Sequence, residues 1–103
     1  MPVAQLFRAL GDPSRLEMVQ RLSSGQTHTI NSISKGLEIS RQGARKHLQI
    51  LADAELIFLE IQGRETQVRL NRESLEEGRA FIAEMERRWD KRLEALRQFV
   101  DGD

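Results

Sequence analysis

Cysteine is absent from this 103-residue sequence, which excludes disulfides, thiolate metal ligands and a cysteine nucleophile. Apolar runs are short. None approaches the roughly 18 residues of a membrane span, and the opening MPVAQLFRALGDPSR lacks the apolar core of a secretion signal. A cytoplasmic protein with no membrane partner is expected. Net charge is lacking too, because 16 basic residues balance 16 acidic ones, so the molecule as a whole has no basic footprint of a nucleic-acid binder. No phosphate-binding glycine loop or metal motif occurs, and Ser, His and Asp stand without the spacing of a catalytic triad, which argues against an enzyme. At this length the chain is read as one small domain, residues 1–103, that buries only about two-thirds of its unfolded surface; a second copy would add to that burial.

What the sequence does contain is a pair of short helical patterns from Thr29 to Leu51, TINSISKGLEISRQGARKHLQIL. Ile30, Ile33 and Leu37 fall at helical spacing, and Ala44, Leu48 and Leu51 repeat it. Thr29 starts the first helix. Ser40 starts the second by accepting a hydrogen bond from backbone N–H groups just inside it, which leaves the N-terminal amides facing outward, a geometry suited to anions. At about 100° per residue, Gln42, Arg45, Lys46 and Gln49 lie opposite the apolar stripe. Arg and Gln side chains read guanine and adenine edges, and Lys suits phosphate. A merely solvated face is the competing reading, but the turn and second helix together favour a helix-turn-helix. The local charge agrees: Lys35, Arg41, Arg45 and Lys46 against Glu38 give 4 − 1 = +3 over residues 35–49, whereas residues 73–103 carry 6 − 9 = −3.

The flanks complete a mainly α chain with a small β-hairpin. Val3, Leu6, Phe7 and Leu10 mark an amphipathic helix ended by Gly11. Asp12 and Pro13 start the next as N-cap and first helical residue; Leu16, Val19 and Leu22 are expected on its buried face with Met18 nearby, and Gln26-Thr27-His28 as a short connection. After Leu51 the helix runs through Ala54. Leu56–Gln62 and Thr66–Leu70 then read as two strands joined at Gly63-Arg64-Glu65, with Arg64 near the tip, where a basic residue meets phosphate or the minor groove. Asn71 is expected to cap a long last helix with an irregular first turn. Leu75, Ile82, Met85, Trp89, Leu93, Leu96 and Val100 keep near-helical spacing, interrupted by Gly78 and Arg92. A helix of about 25 residues would be about 38 Å long, more than so small a core covers. The surplus apolar face calls for a second copy and a twofold dimer.

Several segments resemble the ArsR family of winged-helix repressors. Phe7-Arg8-Ala9-Leu10-Gly11-Asp12-Pro13-Ser14-Arg15 is similar to its "ALxDPTR" opening, and Ile39-Ser40-Arg41-Gln42-Gly43-Ala44-Arg45-Lys46-His47-Leu48 to its "ISxxxVSxHL" recognition segment. Ala54-Glu55-Leu56-Ile57 with Gly63-Arg64-Glu65 matches "AGLV…GRE", and Trp89-Asp90-Lys91-Arg92-Leu93-Glu94-Ala95-Leu96 resembles the "WDxRLxAL" ending of a metal-independent branch. The resemblance covers nearly the whole chain. It implies a dimeric winged helix-turn-helix regulator, usually a repressor, that binds double-stranded DNA at a pseudo-palindromic operator.

Carried onto this sequence, the resemblance places Ser40, Arg41, Gln42, Arg45, Lys46, His47 and Gln49 in the DNA-reading segment and Arg64 in the wing, with His47 equally suited to helix packing. Residues 3–70 form the DNA-binding core and 71–103 the dimerisation helix. Val3, Phe7, Leu10, Ile82, Met85, Trp89, Leu93 and Leu96 form the dimer face. Gly43 and Arg45 replace small or hydroxyl residues common in the family, and Val68 an aromatic one. The family's metal sensors use cysteines or a His/Asp cluster on the last helix; here both histidines, His28 and His47, lie elsewhere, and Asp90, Glu94, Asp101 and Asp103 suit a solvated surface. No metal or cofactor is expected. A small-molecule or protein effector stays open, and a winged-helix protein-interaction module that no longer binds DNA is the alternative function.

Overall fold

The computed structural model describes residues 3–102. Its elements run α1 (Val3–Leu10), α2 (Pro13–Leu22), β1 (His28–Thr29), α3 (Ile30–Ser34), α4 (Arg41–Asp53), β2 (Ile57–Gln62), β3 (Glu65–Leu70) and α5 (Arg72–Asp101). A three-stranded antiparallel sheet in the order β1-β3-β2 lies against the helices. The core is continuous, running from Leu6 in α1 through Met18 and Leu22 in α2, Ile33 in α3 and Leu48 and Leu51 in α4 to Val68 in β3.

Short-range chemistry places most boundaries where the sequence puts them. Asp12 accepts from the N–H groups of Ser14 and Arg15 at 2.9 and 3.1 Å and opens α2 ahead of Pro13. The hairpin pairs Gln62 with Glu65, leaving Gly63 and Arg64 as a two-residue loop. Gly63 has φ +63°, as the first central residue of a II′-type hairpin turn requires.

Four expectations are corrected. Leu16 is 44% exposed while Met18 is fully buried: α3, α4 and β3 all pack along the side of α2 that carries Met18 and Leu22. His28, expected in a connection, pairs with Val68 and Thr29 with Gln67, adding a third strand to the hairpin. The first helix of the motif stops at Ser34, because Gly36 takes φ +84° and turns Leu37 back toward the core. Asn71 precedes α5 without capping it, and α5 is regular from Arg72 over 30 residues. The Asn71 amide is engaged elsewhere, donating to the Glu55 carbonyl at 2.8 Å and to Ser74 Oγ at 3.0 Å.

α5 packs on α1 only through its first third. Gly78 is buried there, and a Cβ on it would stand 3.3 Å from a Leu6 methyl, so the missing side chain lets the two helices approach. Phe7 and Phe81 stack at a tilt with ring centroids 5.8 Å apart. Beyond this contact the helix projects from the core. At 1.5 Å per residue it is about 45 Å long, and the molecule is accordingly 71 Å in its longest dimension against 25 Å and 23 Å in the others.

Candidate nucleic-acid interface

The two helices of the motif are set by caps and by one arginine. Thr29 Oγ1 accepts from the Ser32 N–H at 3.1 Å and Ser32 Oγ accepts from the Thr29 N–H at 2.9 Å, a reciprocal capping box. A helix of five residues leaves its last carbonyls unbonded. Arg21 reaches over from α2 to close them, donating through Nη1 to the carbonyls of Ile33 at 3.1 Å and Lys35 at 2.6 Å. Ser40 then opens α4, its Oγ accepting from the Gly43 N–H at 2.9 Å.

α4 buries Ala44, Leu48 and Leu51 and exposes Gln42, Arg45, Lys46 and Gln49, as its periodicity predicts, and Arg41 is exposed as well. Arg41 and Arg45 share a small cleft of about 70 Å³ with Arg64 from the hairpin tip. The hairpin therefore stands beside the N-terminal half of α4, bringing together three guanidinium groups from two elements. Asn31 of α3 and Thr66 of β3 line the same cleft, and Glu65 is the one carboxylate among its lining residues. Asn31 and Thr66 escaped the sequence reading because nothing local marks an exposed Asn or a strand Thr; only the approach of α3 to β3 brings them in.

Ion pairs hold many of the arginines outside this surface. Arg69, Arg79, Arg87, Arg88 and Arg97 each pair with a glutamate. Among the described residues, Arg41, Arg45, Lys46 and Arg64 form no ion pair. Despite the net charge of zero, the α4 and hairpin cations thus stay free for an external anion.

Two candidates are placed differently. His47 is half-buried and turns inward: its Nδ1 lies 3.1 Å from Arg15 Nη1 and 3.9 Å from Asp12 Oδ2. It joins α4 to the start of α2, in keeping with the packing role that the sequence left open beside a DNA contact. Arg15 also donates through Nε to the Ala9 carbonyl at 2.6 Å, so α1, α2 and α4 meet at one cluster. Gln49 is exposed, but its amide donates to Asp53 Oδ1 one turn on at 2.9 Å.

The other predicted surface lies on α5. Ile82, Met85, Trp89, Leu93 and Leu96 are all substantially exposed, Trp89 at 59%. Phe7 and Leu10 are partly covered by the core of their own chain, and Val3 is half-buried beside them on α1.

A helix-turn-helix followed directly by a hairpin whose basic tip stands beside the second helix defines a winged helix-turn-helix protein. A profile described as a helix-turn-helix domain matches residues 10–59. Among solved structures, an ArsR-like transcriptional regulator from Rhodococcus sp. RHA1 is 30% identical, with 94% of this chain and 91% of that one aligned at a TM-score of 0.81. A second ArsR family transcriptional regulator is 29% identical over 84% and 89% of the two chains, with a TM-score of 0.79. A possible transcriptional regulator for arsenical resistance is 30% identical over 79% and 82%, with a TM-score of 0.70. No curated protein matches the sequence. The chain belongs to the ArsR family of winged helix-turn-helix transcriptional regulators, and its function is DNA-binding regulation of transcription.

Proposed function

We propose that the protein is a homodimeric repressor that reads a pseudo-palindromic operator, acting by binding and not by catalysis, in the cytoplasm. The observation that carries this reading is the convergence of Arg41, Arg45 and Arg64, unpaired, on one cleft between α4 and the hairpin tip. In the proposed complex α4 enters the major groove. Gln42 and Arg45 read base edges there, while Ser40, Arg41 and Lys46 hold the flanking phosphates and Arg64 follows the backbone into the adjoining minor groove. Gln49 joins this set once its amide leaves Asp53. His47 acts through Arg15 and Asp12, orienting α4.

Residues 3–70 serve as the reading core and 71–103 as the dimerisation arm. The exposed stripe Ile82, Met85, Trp89, Leu93 and Leu96 has no cover within its own chain and supports pairing with a second copy, flanked by Val3, Phe7 and Leu10. A twofold dimer presents two α4 helices to successive major grooves about 34 Å apart. Selection from random DNA, followed by titration of the winning fragment and a scrambled one at two salt concentrations, tests the proposal. A winning fragment with two inverted half-sites and a binding constant that falls steeply with salt is expected. Equal affinity for scrambled DNA would overturn sequence-specific reading, and no DNA binding at low salt would leave a protein-interaction module.

A further inference from the structure

At the end of β3 away from the proposed DNA cleft, an open groove of about 750 Å³ runs between the end of α2 and the first turns of α5, within the size range of small-molecule sites. Its apolar wall is Leu22, Val68, Leu70 and Leu75, the first two buried. Three arginines line it, Arg69 from β3 and Arg72 and Arg79 from α5. Arg69 is matched by Glu60 at 3.0 Å, and Arg79 is held by Glu76. Arg72 has no carboxylate partner among the described residues. The groove therefore combines an apolar wall with one uncompensated guanidinium.

We propose that this groove binds a monocarboxylate with an apolar body, either a medium-chain aliphatic acid or an aryl acid, and that it is the effector site; the regulatory half rests on the DNA-binding function proposed above. The carboxylate takes the fork of Arg72 and the apolar body covers Leu70 and Leu75, the half-exposed part of the wall, where burial favours it in proportion to the area removed from water. A neutral lipid leaves Arg72 unused, and a polyanion brings more charge than one free cation matches. The position supplies the coupling. Gln26 and Thr27 line the groove and lead directly into Thr29, the cap of α3, while β3 runs from the groove to the tip that carries Arg64. A ligand between that loop and α5 binds with different affinity to different placements of the wing against α5, which is the condition for an effector.

The test is a titration of the full chain with octanoate, 3-phenylpropionate and the uncharged octanamide, followed in 1H–15N spectra. Saturable shifts at Gln26, Thr27, Arg69 and Arg72 are expected with one or both acids, and the stronger acid identifies the apolar body. Octanamide and the Arg72→Ala variant should each bind about tenfold more weakly, the scale of one charge-assisted contact, with DNA affinity of the ligand-free variant unchanged. Shifts confined to the Phe81–Val100 face of α5, or equal octanoate affinity in Arg72→Ala, would overturn the site. If octanoate saturates the groove and affinity for the selected DNA stays constant, the effector role is overturned. Failure to bind DNA at all falls on the function proposed above and leaves the binding site to be decided by the spectra.

Discussion

Ser74, in the first turn of α5, donates its hydroxyl to the main-chain carbonyl of Glu55 at 2.5 Å, nineteen residues back at the end of α4. Glu55 holds φ +60°, the left-handed conformation. It sits at the C′ position of a Schellman motif, in which the Leu56 N–H bonds to the Leu51 carbonyl at 3.0 Å and the Glu55 N–H to the Ala52 carbonyl at 2.9 Å. Asn71 bonds the same Glu55 carbonyl, and its own N–H donates to the Leu56 carbonyl at 2.8 Å. One small knot thus ties the end of the proposed reading helix to the start of α5, the proposed dimerisation arm.

Glycine is the residue that C′ position ordinarily takes, because a Cβ costs about 1–2 kcal/mol there. Glu55→Gly should therefore stabilise the fold by about 0.5–1 kcal/mol after the extra freedom of the unfolded chain is subtracted. Thermal unfolding at fixed protein concentration should show a rise of a few degrees. An unchanged or lower midpoint would mean that the Glu55 side chain supports the turn.

Removing the Ser74 hydroxyl leaves the Glu55 carbonyl one donor, Asn71. Ser74→Ala should cost about 1 kcal/mol. The Asn71→Ala/Ser74→Ala double variant should cost more than the sum of the single changes, since only then is that carbonyl left without a side-chain donor. Urea unfolding of the four proteins measures the coupling.

Asp12 titrates below the usual carboxylate range, chiefly because the Arg15 N–H bonds its carboxylate, with smaller help from the charges of His47 and Arg15. A carboxyl depressed in the folded state contributes its full stability above the unfolded value of about 3.9 and loses it as pH falls through the folded value. Wild-type stability should therefore fall as the pH drops below about 4. Asp12→Asn, which keeps the cap without the charge, should weaken that fall. Denaturant unfolding at pH 7, 4 and 2.5 checks the difference.

Arg45 and Arg64 share one cleft but have different proposed tasks. Arg45→Ala should weaken binding to the selected DNA by about 1–3 kcal/mol and relax preference at one base position in each half-site. Arg64→Ala should weaken selected and scrambled DNA alike and reduce the salt slope by about one per wing. Binding isotherms over a salt series separate the two patterns.

Trp89 is central to the uncovered stripe of α5. Trp89→Glu places a charge where two copies are proposed to meet, and it should shift sedimentation toward monomer while leaving the helical circular dichroism of each chain in place. Operator binding should fall with it, because a single half-site forfeits the linked second contact.

Much of the fold was legible because its signals are local. Asp12-Pro13, Thr29 and Ser40 open helices by reaching N–H groups two or three residues on, Gly63 sets the hairpin turn, and the stripes of α1, α4 and α5 follow from side-chain period alone. The same period turned Gln42, Arg45, Lys46 and Gln49 to solvent, where the structure has them. It misjudged α2, where Leu16 and Met18 both fit a helical stripe and only the placement of α3, α4 and β3 selects Met18.

The sequence by itself determined a helix-turn-helix with a basic face, a hairpin with Arg64 at its tip and an over-long amphipathic last helix, because caps, turns and periodicity act within a few residues. The tertiary structure alone decided that His28 and Thr29 extend the sheet, that Asn71 bonds the Glu55 carbonyl and Ser74 without capping the backbone of α5, that His47 faces Arg15, and that Arg64 meets Arg41 and Arg45. Each of these joins residues far apart in the chain, and such a contact depends on how packed elements approach in space, which no local pattern encodes.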